Sequence, residues 1–119
     1  MADEITVVAG LKVTNGNLVI NVPTVTVKVD QATARGGGPG TLDIGTSEET
    51  VDFVDTVPGY VLMRNLDATN FVTYGLTTGQ LGLTLPAGGA PTLLYVGTGS
   101  LILKADSATC KVQVVSANL

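Results

Sequence analysis

Acidic side chains are the first residues in this sequence whose types could support catalysis. Asp52 and Asp55 lie three positions apart at the end of a predicted strand, and Glu48 and Glu49 precede them. General acid–base catalysis needs two carboxylates that converge on one cleft, with one of them desolvated so that its pKa rises. Nothing around these acids predicts a cleft. They are therefore predicted to be solvated charges.

The possible nucleophiles are also isolated. The sequence contains one cysteine, Cys110, and no histidine, so no imidazole can activate a thiol or a hydroxyl. Cys110 alternates in step with Val112 and Val114, which predicts a buried and unreactive thiol. The sequence therefore predicts a protein without catalytic residues, which is not an enzyme.

Two glycine-rich segments, 35–40 and 97–100, are the only candidates for phosphate binding. Neither ends in Lys-Ser/Thr nor opens an amphipathic helix, as a phosphate-binding loop does. The polar segment 65–70 offers oxygen atoms to calcium, but it has a single carboxylate and lacks EF-hand spacing. We therefore predict no cofactor and no metal.

Arg64 lies beside the segment 65–70 and shares a predicted strand face with Tyr60 and Leu62. Two interpretations are open. The favoured one is a local ion pair with Asp67 across the turn, which costs little when exposed. The other is a contact with a neighbouring protein.

Alternation with a period of two residues recurs along the chain, whereas helical periodicity is nearly absent. Asn15-Gly16 separates two apolar runs and predicts a hairpin. The pattern predicts an all-β fold with about ten short strands, in an antiparallel β-sandwich of jelly-roll-like layout. The one stretch with a helix-capping pattern is 46–49.

The length of 119 residues predicts a single domain over 1–119. Residues 1–10 are predicted to form an N-terminal arm that could extend the sheet edge of a partner. Residues 31–40, which include four glycines and a proline, are predicted to form a flexible loop.

Charged residues make up only 13% of the chain, and apolar residues 45%. Two explanations are open: part of the surface is covered by other chains, or Thr, Gly and Asn keep an ordinary surface polar. The six basic residues are scattered and the net charge is −4, so direct nucleic-acid binding is not expected. No apolar run reaches the length of a membrane span, and the acidic start lacks the basic segment of a signal peptide.

The segment Gly59–Gly75, GYVLMRNLDATNFVTYG, contains two aromatic and β-branched runs around a turn rich in Asn and Asp. An L-P-A-G turn follows at 85–88, and then the closing run LILKADSATCKVQVV. Together these motifs resemble a small all-β module of structural proteins in tailed-phage virions. The resemblance covers roughly residues 45–115 and leaves about 40 N-terminal residues outside it.

This resemblance implies a capsid decoration or cement protein that binds the major capsid protein between capsomers. It also implies a homo-oligomer, with a trimer favoured, on the capsid surface of the virion after synthesis in the host cytoplasm. The alternative is a tail, neck or head-fibre component. A carbohydrate- or receptor-binding β-sandwich is disfavoured by the absence of Trp and the presence of only three Tyr. The predicted partner-contact residues are Ala2, Ile5, Val7, Arg35, Gly37 and Arg64.

Overall fold

The computed structural model of the protein describes residues 4–31, 36–53, 58–97 and 101–117. These residues form ten β-strands and no helix, which confirms the predicted all-β fold. Accordingly, the described part of the chain has no helix that could cross a membrane. The strands are β1 (Ile5–Asn15), β2 (Leu18–Val29), β3 (Gly36–Ile44), β4 (Glu49–Thr50), β5 (Gly59–Asn65), β6 (Val72–Gly75), β7 (Leu83–Leu85), β8 (Pro91–Val96), β9 (Ile102–Ala105) and β10 (Cys110–Ala117).

The chain divides into two compact units, where the sequence predicted a single domain. The first, Met1–Ala34, contains β1 and β2 and is called the hairpin unit below. The second, Arg35–Asn118, contains β3 to β10 and is called the sandwich unit. The strand order explains the division, because β1 and β2 pair with each other in a two-stranded sheet of their own.

The hairpin unit is a long antiparallel hairpin, as Asn15-Gly16 predicted. Its pairing runs from Ile5 opposite Val29 to Asn15 opposite Leu18. Gly16 has a φ of 55°, in the left-handed region that a tight hairpin turn needs and that glycine adopts without strain. Residues 5–10 of the predicted arm are therefore part of β1, and the arm forms its sheet ladder with β2 of the same chain.

A β-bulge interrupts this hairpin. Between the pairs Ala9–Val25 and Leu11–Val22, β1 has one residue, Gly10, where β2 has two. A Cβ at position 10 would lie 3.1 Å from the Cα of Thr24, so the close approach of the two backbones favours glycine. The extra residue in β2 shifts the phase of side-chain alternation by one position.

The sandwich unit contains two four-stranded antiparallel sheets, in the orders β3-β10-β5-β8 and β4-β9-β6-β7. β10 shows why these residues form a sandwich: Cys110, Val112 and Val114 are buried while the alternate residues are more exposed. One apolar cluster draws buried side chains from both sheets, which agrees with the predicted sandwich. The jelly-roll layout stays a prediction.

Two local predictions differ from the structure. Residues 36–40, predicted to be part of a flexible loop, belong to β3 and pair with β10, with Pro39 opposite Val115. Proline is tolerated there because β3 is an edge strand, where a missing N–H breaks no inner ladder. Residues 32–35 of the predicted loop lie outside the described residues. The segment 46–49 forms a bend that leads into β4 and no helical turn.

Candidate functional site

The turn between β5 and β6 is built by side chains that bind the backbone. Asn65 is fully buried, and its Nδ2 donates to the carbonyl of Asn70 at 2.8 Å and to that of Leu85 at 3.4 Å. Its Oδ1 accepts the N–H of Asp67 at 3.0 Å. Asp67 in turn accepts the N–H groups of Thr69, at 2.7 Å, and Asn70, at 3.0 Å. These contacts give the polar atoms of the turn structural roles.

The electrostatics of this turn follow from those hydrogen bonds. The backbone N–H groups of Asn70 and Thr69 lower the pKa of Asp67, because they stabilise its charged form. Burial, and then the negative charge of Asp67, raise the pKa of the Cys110 thiol. The Cys110 side chain is buried, and its Sγ lies 3.4 Å from the carbonyl oxygen of Ala108. A neutral, buried thiol is a poor nucleophile, as the sequence predicted.

We expect the Asp67 carboxylate to stabilise the fold in a pH-dependent way. Its pKa is lowered on folding, so the stabilisation is complete above the unfolded value of 3.8 and is lost as the pH falls through the folded value. Asp67→Asn keeps an acceptor oxygen but removes the charge. The variant should melt below the wild type at pH 7, and the difference should shrink below about pH 4.

The matched control for this prediction is Asp52→Asn, which makes the same change at an exposed position. Its thermal unfolding, followed by circular dichroism, should track the wild type across the pH range. A melting difference for Asp67→Asn that stays constant from pH 7 to pH 2 would contradict the assignment of Asp67 as a charged acceptor.

The described acids 48, 49 and 52, which the sequence singled out, lie apart from the turn between β5 and β6. Glu48 accepts the N–H of Gly79 at 2.9 Å, and Glu49 accepts the N–H of Gly45, so both hold loops. Asp52 is exposed, and Asp55 lies outside the described residues. Across the described ranges, no group of three or more His, Cys, Asp or Glu side chains is placed to hold a metal.

A cavity of about 190 Å³ beside β3 and β4 is lined by Leu42, Asp43, Ile44, Glu49 and their neighbours. Three carboxylates line it, those of Asp43, Glu49 and Asp52, and the first two already have partners. Asp43 forms an exposed ion pair with Lys111 at 3.0 Å, and Glu49 binds Gly45. These two contacts give Asp43 and Glu49 structural roles.

The local ion pair favoured for Arg64 is wrong. Arg64 Nε donates to the carbonyl of Gly89 at 2.9 Å, whereas the Asp67 carboxylate is engaged by backbone N–H groups. Gly89 has a φ of 85°, and a Cβ there would lie 3.2 Å from an Arg64 guanidinium nitrogen. Arg64 therefore fixes the loop after β7 to the end of β5.

The hairpin unit instead presents the most distinctive surface, which we call the apolar hairpin face. Residues opposite each other in an antiparallel pair share a face, and so do residues two apart on one strand. With the bulge included, a single face collects eleven apolar residues and no charge: Ile5, Val7, Ala9, Leu11, Val13, Leu18, Ile20, Val22, Val25, Val27 and Val29. The opposite hairpin face carries two lysines, Lys12 and Lys28, and two exposed valines, Val8 and Val19, together with the polar residues Thr6, Thr14, Asn21 and Thr26.

Much of the apolar hairpin face is open to solvent in the single chain. Ile5 is buried, but six of the large aliphatic side chains are 40–61% exposed. These are Leu11 at 61%, Leu18 at 52%, Ile20 at 40%, Val22 at 50%, Val25 at 56% and Val27 at 50%. A continuous exposed apolar surface of this kind marks an interaction site.

A second, smaller apolar surface lies on the outer side of the sheet β3-β10-β5-β8, and we call it the outer sheet patch. It consists of Tyr60, Leu62, Leu93, Tyr95 and Val115, which are cross-strand neighbours. The rings of Tyr60 and Tyr95 meet edge to face, with centroids 5.0 Å apart and planes at 83°.

The predicted contact residues fall in different places. Ile5 and Val7 belong to the apolar hairpin face, Arg64 lies next to the outer sheet patch, and Gly37 is in β3. Ala2 and Arg35 lie outside the described residues. No protein-family model, curated protein or solved structure matches the chain. The resemblance to the phage module therefore stays a prediction.

The sequence contains a signal for the whole apolar hairpin face, which is a change in the phase of alternation within β2. Alternation alone does not show that the two halves of β2 lie on one face. Apart from Val19, the apolar residues of β2 occupy even positions from Leu18 to Val22 and odd positions from Val25 to Val29. Simple alternation would therefore place the two halves on opposite faces. The change of phase at Pro23-Thr24, opposite a glycine, is the signature of a bulge that restores one face.

Proposed function

We propose that the protein is a non-enzymatic structural component that acts by burying surface within a larger assembly. The apolar hairpin face carries this proposal, because a two-stranded hairpin with one open apolar face is marginally stable in water by itself. The low proportion of charged residues agrees with a chain that is partly covered by others.

The free energy expected from burying this face favours a weak contact that is repeated many times over a single strong one. Complete burial contributes about 1.5–3 kcal/mol per large aliphatic side chain, so a half-exposed one adds about 1 kcal/mol. The six exposed side chains of the face then contribute roughly 6 kcal/mol per copy as an upper estimate. Association itself costs about 4–15 kcal/mol, so one copy binds weakly and strength requires many linked copies.

An assembly of many identical contacts is what a virus shell provides. Combined with the resemblance of residues 45–115 to a tailed-phage virion module, this leads us to propose a capsid decoration or cement protein. In this role it sits on the capsid surface and binds the major capsid protein between capsomers. The rival role is a tail, neck or head-fibre component, which also needs surface burial but in few copies.

Copy number and heat resistance of purified particles test this proposal. Mass spectrometry should find the protein in the particles in hundreds of copies, in proportion to the major capsid protein. Particles made without it should still assemble but should release their DNA at a lower temperature. Absence from the particles would remove the virion proposal, and unchanged heat resistance with a few copies would favour the tail, neck or fibre role.

A further inference from the structure

We propose that the apolar hairpin face docks on the same face of further copies of this chain. The inference rests on the proposed function only in that both take surface burial as the mode of action. The partner at this one face is a second copy of the chain, and the strand register and the charge distribution support that choice.

The distribution of charge fits self-association. The eleven residues of the apolar hairpin face include no charged side chain, whereas Lys12 and Lys28 lie on the opposite hairpin face. Two apolar faces can therefore meet without burying a charge, while the lysines stay in water. Stacking through the opposite faces would bring lysines together. The charge pattern thus selects one face for contact between identical copies.

The bulge supports the same conclusion. Without the extra residue in β2, a regular register would place Leu18, Ile20 and Val22 on the opposite face from Val25, Val27 and Val29. Gly10 permits the close approach of Thr24 that the bulge requires. The result is one apolar strip along the whole hairpin, and sheets pack face to face through such strips at about 10 Å.

The size of the face indicates how strong the contact is. It supplies eleven residues, whereas a standard stable interface uses about 20–30 residues a side. Backbone N–H and C=O groups can also contribute to the contact, because β1 and β2 form a two-stranded sheet with an edge on each side. We therefore expect reversible association that depends on protein concentration. A second copy is the partner always present in equal amount, and symmetric self-association is the common arrangement.

The test compares two lysine substitutions at neighbouring positions of β2 in the full chain. Val25→Lys places a charge on the apolar hairpin face, and Thr26→Lys places the same charge on the opposite face, where Thr26 is already exposed. Sedimentation velocity over a concentration series should show multiples of 12.1 kDa for the wild type and for Thr26→Lys. Val25→Lys should need at least a tenfold higher concentration to associate.

Mixing two variants of opposite charge distinguishes a lost contact between copies from a destabilised hairpin. Val25→Lys and Val25→Glu copies should each associate poorly, and a mixture should associate at lower concentration than either alone, because opposite charges then meet in the contact. The near-ultraviolet signal of the tyrosines in the sandwich unit should be the same in all variants. A mixture no better than its components would overturn the proposal, as would equal effects of Val25→Lys and Thr26→Lys.

The outcome also separates this inference from the proposed function. A wild-type chain that stays at 12.1 kDa at every concentration, yet is found in purified particles, would overturn self-docking and leave the virion role standing. A chain that self-associates through Val25 but is absent from particles would support self-docking and remove the virion role.

Discussion

Replacing Asn65 by alanine should lower the free energy of unfolding of the sandwich unit by about 3 kcal/mol, because buried polar groups left without partners cost about 1–3 kcal/mol each. Asn65 is fully buried and its amide engages both sides of the turn. The carbonyl of Asn70 loses a donor at 2.8 Å, and the N–H of Asp67 loses an acceptor at 3.0 Å.

The control is Asn21→Ala, which makes the same substitution on an exposed strand position of the hairpin unit. It should change the free energy of unfolding by about 0.5 kcal/mol or less, as surface substitutions usually do. Both variants can be measured by urea denaturation with near-ultraviolet detection, which follows the tyrosines of the sandwich unit. A loss for Asn65→Ala no larger than for Asn21→Ala would show that water replaces the amide at no cost.

Elements of the fold that depend on residues close in sequence could be predicted, and elements that depend on long-range pairing could not. Alternation in β10 and the Asn15-Gly16 turn are local signals, so these elements were predicted correctly. Residues 36–40 were misassigned because glycine and proline disfavour strands, yet pairing with β10 overrides that preference. Long-range pairing of this kind cannot be derived from the composition of five residues.

The candidate sites show the same limit. The Asn and Asp residues of the turn were recognised as turn formers, but the partner of Arg64 was not, because the Gly89 carbonyl lies 25 residues away in the sequence. An acidic neighbour was the natural expectation for a guanidinium. The Asp67 carboxylate instead accepts the backbone N–H groups of the residues two and three positions ahead, as Asp does in turns.

Removing Ala2–Val8 should weaken binding to purified particles at least tenfold, if the proposed virion role is correct. The described part of this segment, from Glu4 to Val8, includes Ile5 and Val7 of the apolar hairpin face. Its loss also leaves Thr26–Val29 without their ladder partners. Each strand hydrogen bond contributes on the order of 1 kcal/mol net, so the truncation destabilises the hairpin that presents the apolar hairpin face. A loss of about 1.4 kcal/mol at the contact is tenfold in affinity.

The control for this truncation is Asp52→Asn, which removes an exposed charge and should leave binding within a few-fold of the wild type. Binding is measured by co-sedimentation with particles over a range of protein concentrations. If copies dock through the apolar hairpin face and attach together, a weaker contact at each copy weakens attachment throughout the array. If the truncated chain bound as tightly as the full chain, Ile5 and Val7 would have no part in particle binding. The outer sheet patch, with Tyr95 half exposed, would then be another apolar surface to test.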